Sequence, residues 1–241
     1  MHAVRRTKRA YNGVPVDSSD YPYIVSLRNV NSQHMCGGTI LTPQLILSAA
    51  QCFDPSLKPS PAKEVLVFSK SNNGDVYKLT HYMPHPDYRF EKPGMHDICI
   101  GVLESRIKNA VTVSLQPKPM KVAKHSLAQA FGWGKHEYGA VSEQLRRVDV
   151  AALMPSECKL ELKTEWVCTD SSKGSICDGD SGGPLMFHGT QVGVATKNSE
   201  SSQVQNPCLS GAPSVFTRVS TYYEWIQQWV TYYNNKFSQN N

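Results

Sequence analysis

Along most of the chain, apolar residues come in short runs with alternating or continuous hydrophobicity. Tyr23–Leu27, Val65–Phe68, Asp97–Leu103, Val148–Ala152, Gln191–Ala195 and Ser214–Val219 are the clearest. Clusters of Gly, Pro, Asn and Ser separate them. Such runs are too short for helices and bury one or both faces of a strand, so the pattern predicts an all-β protein of many short antiparallel strands. No longer internal repeat is visible, which argues against a solenoid or propeller.

The C-terminus breaks this pattern. Tyr222, Trp225, Ile226, Trp229, Val230 and Tyr233 recur at the three-and-four spacing of one helical face. They predict a terminal amphipathic helix whose aromatic stripe packs on the body. The Pro- and Lys-containing stretch 116–121 reads as a crossover between two halves. The division expected is a leader over 1–9, a first half over 10–115 and a second half with the helix over 116–241.

Bulk properties narrow the function. No stretch approaches the ~18 apolar residues of a membrane span. The net charge of +5 comes largely from Arg5, Arg6, Lys8 and Arg9 in a leader without acids. Without them, 21 basic residues face 20 acidic ones. A basic segment that short reads as a processing site, and neither nucleic acid nor a membrane is an expected partner. Seven cysteines imply three disulfides and one free thiol, hence an oxidising, extracellular location. Met1 is followed by charge without an apolar core, so secretion requires a signal already removed. The eight histidines show no ligand spacing with cysteines or carboxylates, and neither a metal nor another cofactor is expected.

The string Gly179-Asp180-Ser181-Gly182-Gly183-Pro184-Leu185 carries the chemistry. Its glycines allow a tight backbone on which the amides of Gly179 and Ser181 converge as an oxyanion hole beside a serine hydroxyl. With Leu47-Ser48-Ala49-Ala50-Gln51-Cys52 and Met95-His96-Asp97-Ile98-Cys99, it resembles the trypsin/chymotrypsin-like serine proteases. Cys36-Gly37-Gly38, Gly132-Trp133-Gly134 and Phe216-Thr217-Arg218-Val219 extend the likeness over about residues 10–235.

The resemblance implies two six-stranded β-barrels with the site between them. It implies disulfides Cys36–Cys52, Cys158–Cys168 and Cys177–Cys208, leaving Cys99 as an inert buried thiol. It places Gln51, Asp97 and Ser181 at the three catalytic positions, with glutamine where the family has its general-base histidine. An imidazole can take the serine proton and return it near neutral pH, whereas a carboxamide cannot. In another triad protease, loss of the histidine costs about 10⁶ in turnover, on the order of 8 kcal/mol. His96 adjoins Asp97 but should face away from the serine in extended chain.

Other expected departures lie around the cleft. Ser175 stands at the base of the specificity pocket, Ser214 on its wall, Ile176 beside it and Asp178 near the entrance. Thr196-Lys197-Asn198 replaces the usual substrate-pairing segment. The polar insertion 199–207 is a solvated loop or a lid over an occluded pocket. Arg9-Ala10 resembles an activation junction whose new amine would pair with Asp180, although alanine fills an isoleucine site poorly. These changes point to a secreted, monomeric, catalytically inactive homologue that binds proteins. The short domain resembles inactivated scabies-mite protease paralogues related to the mite group 3 allergens. That likeness implies interference with a host cascade such as complement. The alternative is a weak or conditional serine endopeptidase of non-tryptic specificity.

Overall fold

The computed structural model describes residues 13–55, 63–67, 74–91, 94–119, 126–135, 139–154, 157–158, 165–198, 208 and 213–238. A short strand, β1 (Val14–Pro15), precedes β2 (Ile24–Arg28), β3 (His34–Thr42), β4 (Leu45–Ser48), β5 (Glu64–Val67), β6 (Asp75–Pro84) and β7 (Cys99–Leu103). Strands β2–β7 close a six-stranded antiparallel barrel in the order β2-β3-β4-β7-β6-β5. The second half supplies β8 (Leu127–Gly132), β9 (Arg146–Ala152), β10 (Trp166–Asp170), β11 (Pro184–Phe187), β12 (Thr190–Asn198) and β13 (Ser214–Arg218). These also close, because β8 pairs with both β9 and β11. The two-barrel, all-β expectation therefore holds, with each predicted run recovered to within three residues at its ends.

Each barrel has its own apolar interior. Val25, Ile40, Leu47, Phe53 and Ile100 belong to the first, and Ala130, Val150, Leu185 and Phe216 to the second. A third cluster with Ile24, Phe131, Trp133 and Met186 draws on both halves. Closure between the barrels is polar as well: Thr39 Oγ1 donates to Gln191 Oε1 at 2.8 Å inside the protein. The approach is tight enough that a Cβ on Gly37 would lie 2.8 Å from Gly183 Cα.

Each half also lends an element to the other. Strand β1 pairs with β9 of the second barrel. The terminal helix α1 (Tyr223–Ser238) lays Ile226 and Tyr233 into the first barrel's core, with Trp225, Trp229 and Val230 half-buried alongside. The aromatic stripe is thus the buried face predicted from its spacing. Among the described residues, no helix is long and apolar enough to cross a membrane.

The three disulfides join Cys36 to Cys52, Cys158 to Cys168 and Cys177 to Cys208. Cys99 is free and buried on β7.

Candidate functional site

Residues from both barrels meet in the cleft. Gln51 lies on a single 3₁₀ turn, Ala50–Phe53, directly after β4. The disulfide from Cys52 anchors that turn to β3. Asp97 precedes β7 and is wholly buried. Ser181 sits in the glycine-rich loop before β11, held to the first barrel by Gly37 N donating to Ser181 O at 2.8 Å.

Asp97 is surrounded by donors. Its Oδ1 accepts from Gln51 N at 2.9 Å. Its Oδ2 accepts from Gln51 Nε2 at 2.8 Å and from Thr196 Oγ1 at 2.5 Å. Thr217 Oγ1 reaches the Asp97 carbonyl at 2.9 Å. Burial raises the Asp97 pKa, while the hydrogen bonds from Thr196, Gln51 and Ala50 oppose the rise. Every one of these donors is neutral.

Gln51 also donates through Nε2 to the Thr196 carbonyl. Both partners of that amide nitrogen are acceptors, which fixes the orientation of the carboxamide. Ser181 Oγ donates to the same Thr196 carbonyl at 3.2 Å. The glutamine could have accepted directly from the serine, but the serine proton goes to the main chain instead. Thr196 is the extra residue of a bulge in β12, where the register against β13 shifts between Ala195 and Lys197. A bulge removes one residue from the ladder and re-aims it, so this carbonyl is turned into the site.

The loop around Ser181 is built for close approach. Gly179 and Gly182 have φ of +96° and +80°, a left-handed region that side chains rarely tolerate. A Cβ on Gly182 would also collide with Ser48 Oγ and the Gly37 carbonyl. Asp180 N donates to Cys177 O, Gly182 N to Ala195 O and Gly183 N to Asp180 O. Among the described residues, no main-chain acceptor takes the amides of Gly179 and Ser181.

His34 stabilises this loop in a way its sequence context did not signal. Its Nε2 lies 2.8 Å from the Gly179 carbonyl and its Nδ1 lies 2.8 Å from Ser26 Oγ. A carbonyl only accepts, so Nε2 carries hydrogen and Nδ1 receives the Ser26 proton. Desolvation holds the His34 pKa down at about 4, which keeps the ring neutral. With both nitrogens engaged, His34 is a support for the loop. His96 is engaged elsewhere, its Nδ1 pairing with Tyr222 OH at 2.9 Å, and its φ of +50° is not the extended conformation expected from the sequence.

Asp180 turns inward. Its Oδ1 accepts from Gly134 N at 2.7 Å and its Oδ2 from Cys177 N at 2.8 Å. Gly134 permits this, since a Cβ there would come within 2.5 Å of the carboxyl carbon. Burial pushes the Asp180 pKa up to about 6. Arg9 and Ala10, expected to form the activation junction, lie outside the described residues.

The expected pocket residues are dispersed over β12, β13 and the loop before Ser181. Ser175 is buried and donates to Cys208 O at 2.8 Å. Ser214 is buried on β13, 2.9 Å from Ser171 Oγ. Ile176 belongs to the apolar interior of the second barrel. Asp178 is exposed and pairs with Lys135 at 3.0 Å, a surface contact worth at most about 1 kcal/mol. Lys197 and Asn198 continue β12, pairing in register with Val215 and Ser214. The 199–207 insertion lies outside the described residues.

Comparison with known proteins agrees with this geometry. The chain is 28% identical over 227 residues to "Trypsin" of Saccharopolyspora erythraea, covering 90% of this chain and 96% of that protein. It is likewise 28% identical to "Chymotrypsin-2" of Vespa crabro, over 90% and 97% of the two chains. It shares 28% identity with "Trypsin 5G1" of Aedes aegypti, over 94% and 87%. The sequence profile described as Trypsin matches residues 10–226. A match of that extent, on a two-barrel fold with an interbarrel serine, identifies the chain as a member of the trypsin family.

Proposed function

We propose that this chain is a secreted trypsin-family homologue that does not cleave peptides and acts by binding proteins. The observation that carries this reading is the state of the Gln51 carboxamide. It donates to Asp97 Oδ2 and to the Thr196 carbonyl, and has no proton-accepting base to offer Ser181. Asp97 therefore lies beside a neutral donor, and Ser181 has no route for its proton during attack. Orientation and oxyanion stabilisation alone leave about 10³–10⁴ over water in triad proteases, far below a working peptidase.

The binding surface is the cleft and its rim. Ser175 places no charge at the pocket base and Ser214 none on its wall, so a basic side chain is not the preferred ligand. Their hydroxyls are already satisfied by Cys208 O and Ser171 Oγ, which supports a closed pocket. Three disulfides and the family's habit support an extracellular site of action. On this reading the chain acts as a monomer and engages components of a host proteolytic cascade such as complement, which is what the likeness to inactivated scabies-mite paralogues implies.

A second reading, a weak serine endopeptidase of non-tryptic specificity, draws on the retained hydroxyl of Ser181 and the amides of Gly179 and Ser181. A serine-directed fluorophosphonate and a peptide-library digest separate the two. The binding reading predicts negligible labelling and no cleavage, together with capture of cascade proteins from host serum. Stoichiometric labelling at Ser181 with peptide turnover would establish the second.

A further inference from the structure

Outside the cleft, among the described residues, one cluster places three metal-ligating side chains together: His85, Asp87 and His96. Ligand spacing along the chain does not reveal it, because His85 and Asp87 follow β6 whereas His96 lies in the separate turn before Asp97. The fold brings the two segments side by side, and His85 N donates to Ile98 O at 3.0 Å.

One ligand atom from each residue lies within 4.8 Å of the others. His85 Nδ1 is 3.9 Å from Asp87 Oδ2. The two imidazoles stack with centroids 5.4 Å apart and planes 15° from parallel. Tetrahedral zinc, with bonds of about 2.0–2.1 Å, holds its ligand atoms about 3.3 Å apart. Closing to that spacing asks most of Asp87, whose side chain is exposed and free to swing.

The two imidazoles, by contrast, are held. Tyr222 and Trp225 present their edges to the His85 ring at 5.0 and 5.1 Å. His96 Nδ1 pairs with Tyr222 OH, leaving Nε2 as its ligand atom. Fixing one ring nitrogen through an outer partner is how proteins commonly orient a metal-binding histidine. His96 also sits at φ +50°, an uncommon conformation for a side-chain-bearing residue, maintained by Ile98 N donating to His96 O at 2.8 Å.

We propose that His85, Asp87 and His96 form a binding site for a divalent first-row transition cation, with Zn²⁺ the ion best matched to two imidazoles and one carboxylate. Three protein ligands leave a coordination position for water or for a donor from another protein. The site is separate from the Gln51–Ser181 cleft and does not depend on whether the chain cleaves peptides.

The test is Zn²⁺ titration of the whole chain at neutral pH, by calorimetry and by equilibrium dialysis. The expected result is one ion per chain with micromolar affinity. His85→Ala and Asp87→Asn should each weaken uptake by at least about tenfold, a loss seen even for outer-shell changes. His188→Ala, on a remote turn, should leave it unchanged. Asp87 is exposed, so its asparagine variant keeps the fold and decides the matter should His85→Ala fail to fold. Absence of stoichiometric uptake, or uptake undiminished by Asp87→Asn, would overturn the assignment.

Discussion

Gln51 and Ser181 are joined through one acceptor: both donate to the main-chain carbonyl of Thr196. The amide and the hydroxyl are therefore neighbours without being proton partners. Nothing in that arrangement returns a proton to a leaving amine. Asp97 in turn accepts from both the main-chain and the side-chain nitrogen of Gln51, at 2.9 and 2.8 Å.

From the second barrel, Thr196 Oγ1 holds the Asp97 carboxylate while Thr217 Oγ1 holds its carbonyl. Thr196→Val keeps the shape and removes the hydrogen bond. A hydrogen bond to a charged group contributes roughly 1.5–3 kcal/mol. Denaturant unfolding should show a loss of about that size, with an unchanged slope against denaturant. A loss below ~0.5 kcal/mol would mean that water or another donor replaces the threonine.

Asp180 and His34 make opposite contributions to stability across one pH window. The Asp180 pKa is raised to about 6 by burial, so its contribution is full below its unfolded value of about 3.9 and is lost as pH rises through 6. That loss is on the order of 3 kcal/mol. The His34 pKa is lowered to about 4, so its contribution is present above about 6.5 and is lost as pH falls through 4. Relative to the unaltered chain, Asp180→Asn should make stability rise more with pH between these limits, and His34→Gln should make it fall more. Denaturant unfolding at stepped pH reads both slopes, and unchanged slopes in both variants would contradict the assignments.

Cys99 is fully buried and its thiol pKa is pushed well up by desolvation. Thiolate is the reactive form, so the native chain should resist a maleimide or a disulfide reagent. One equivalent should react once the chain is unfolded with its disulfides intact. Rapid labelling of the native chain would place this strand nearer solvent than the barrel allows.

Much of this architecture was legible in the sequence because it rests on periodic patterns. Alternation located β2, β9 and β13, the three-and-four spacing of Ile226 and Tyr233 located the helix's buried face, and the landmark strings brought the cysteine pairs with them. The site was legible only where side-chain identity marks it, at Gln51, Asp97 and Ser181. The Thr196 carbonyl was not, since a main-chain acceptor exposed by a bulge has no residue signature. His34 was not either, because its partner is the carbonyl of Gly179, in the other barrel. The same separation hid the proximity of His85 and His96, which depends on how β6 and the turn before β7 close against each other.

Peptide hydrolysis tests the central claim most directly. The purified chain, freed of contaminating proteases, should show no multiple-turnover cleavage of a peptide library. Gln51→His, assayed beside it, tests whether an imidazole alone restores turnover at the same serine. Sustained hydrolysis by the unaltered chain, abolished by Ser181→Ala, would contradict the account.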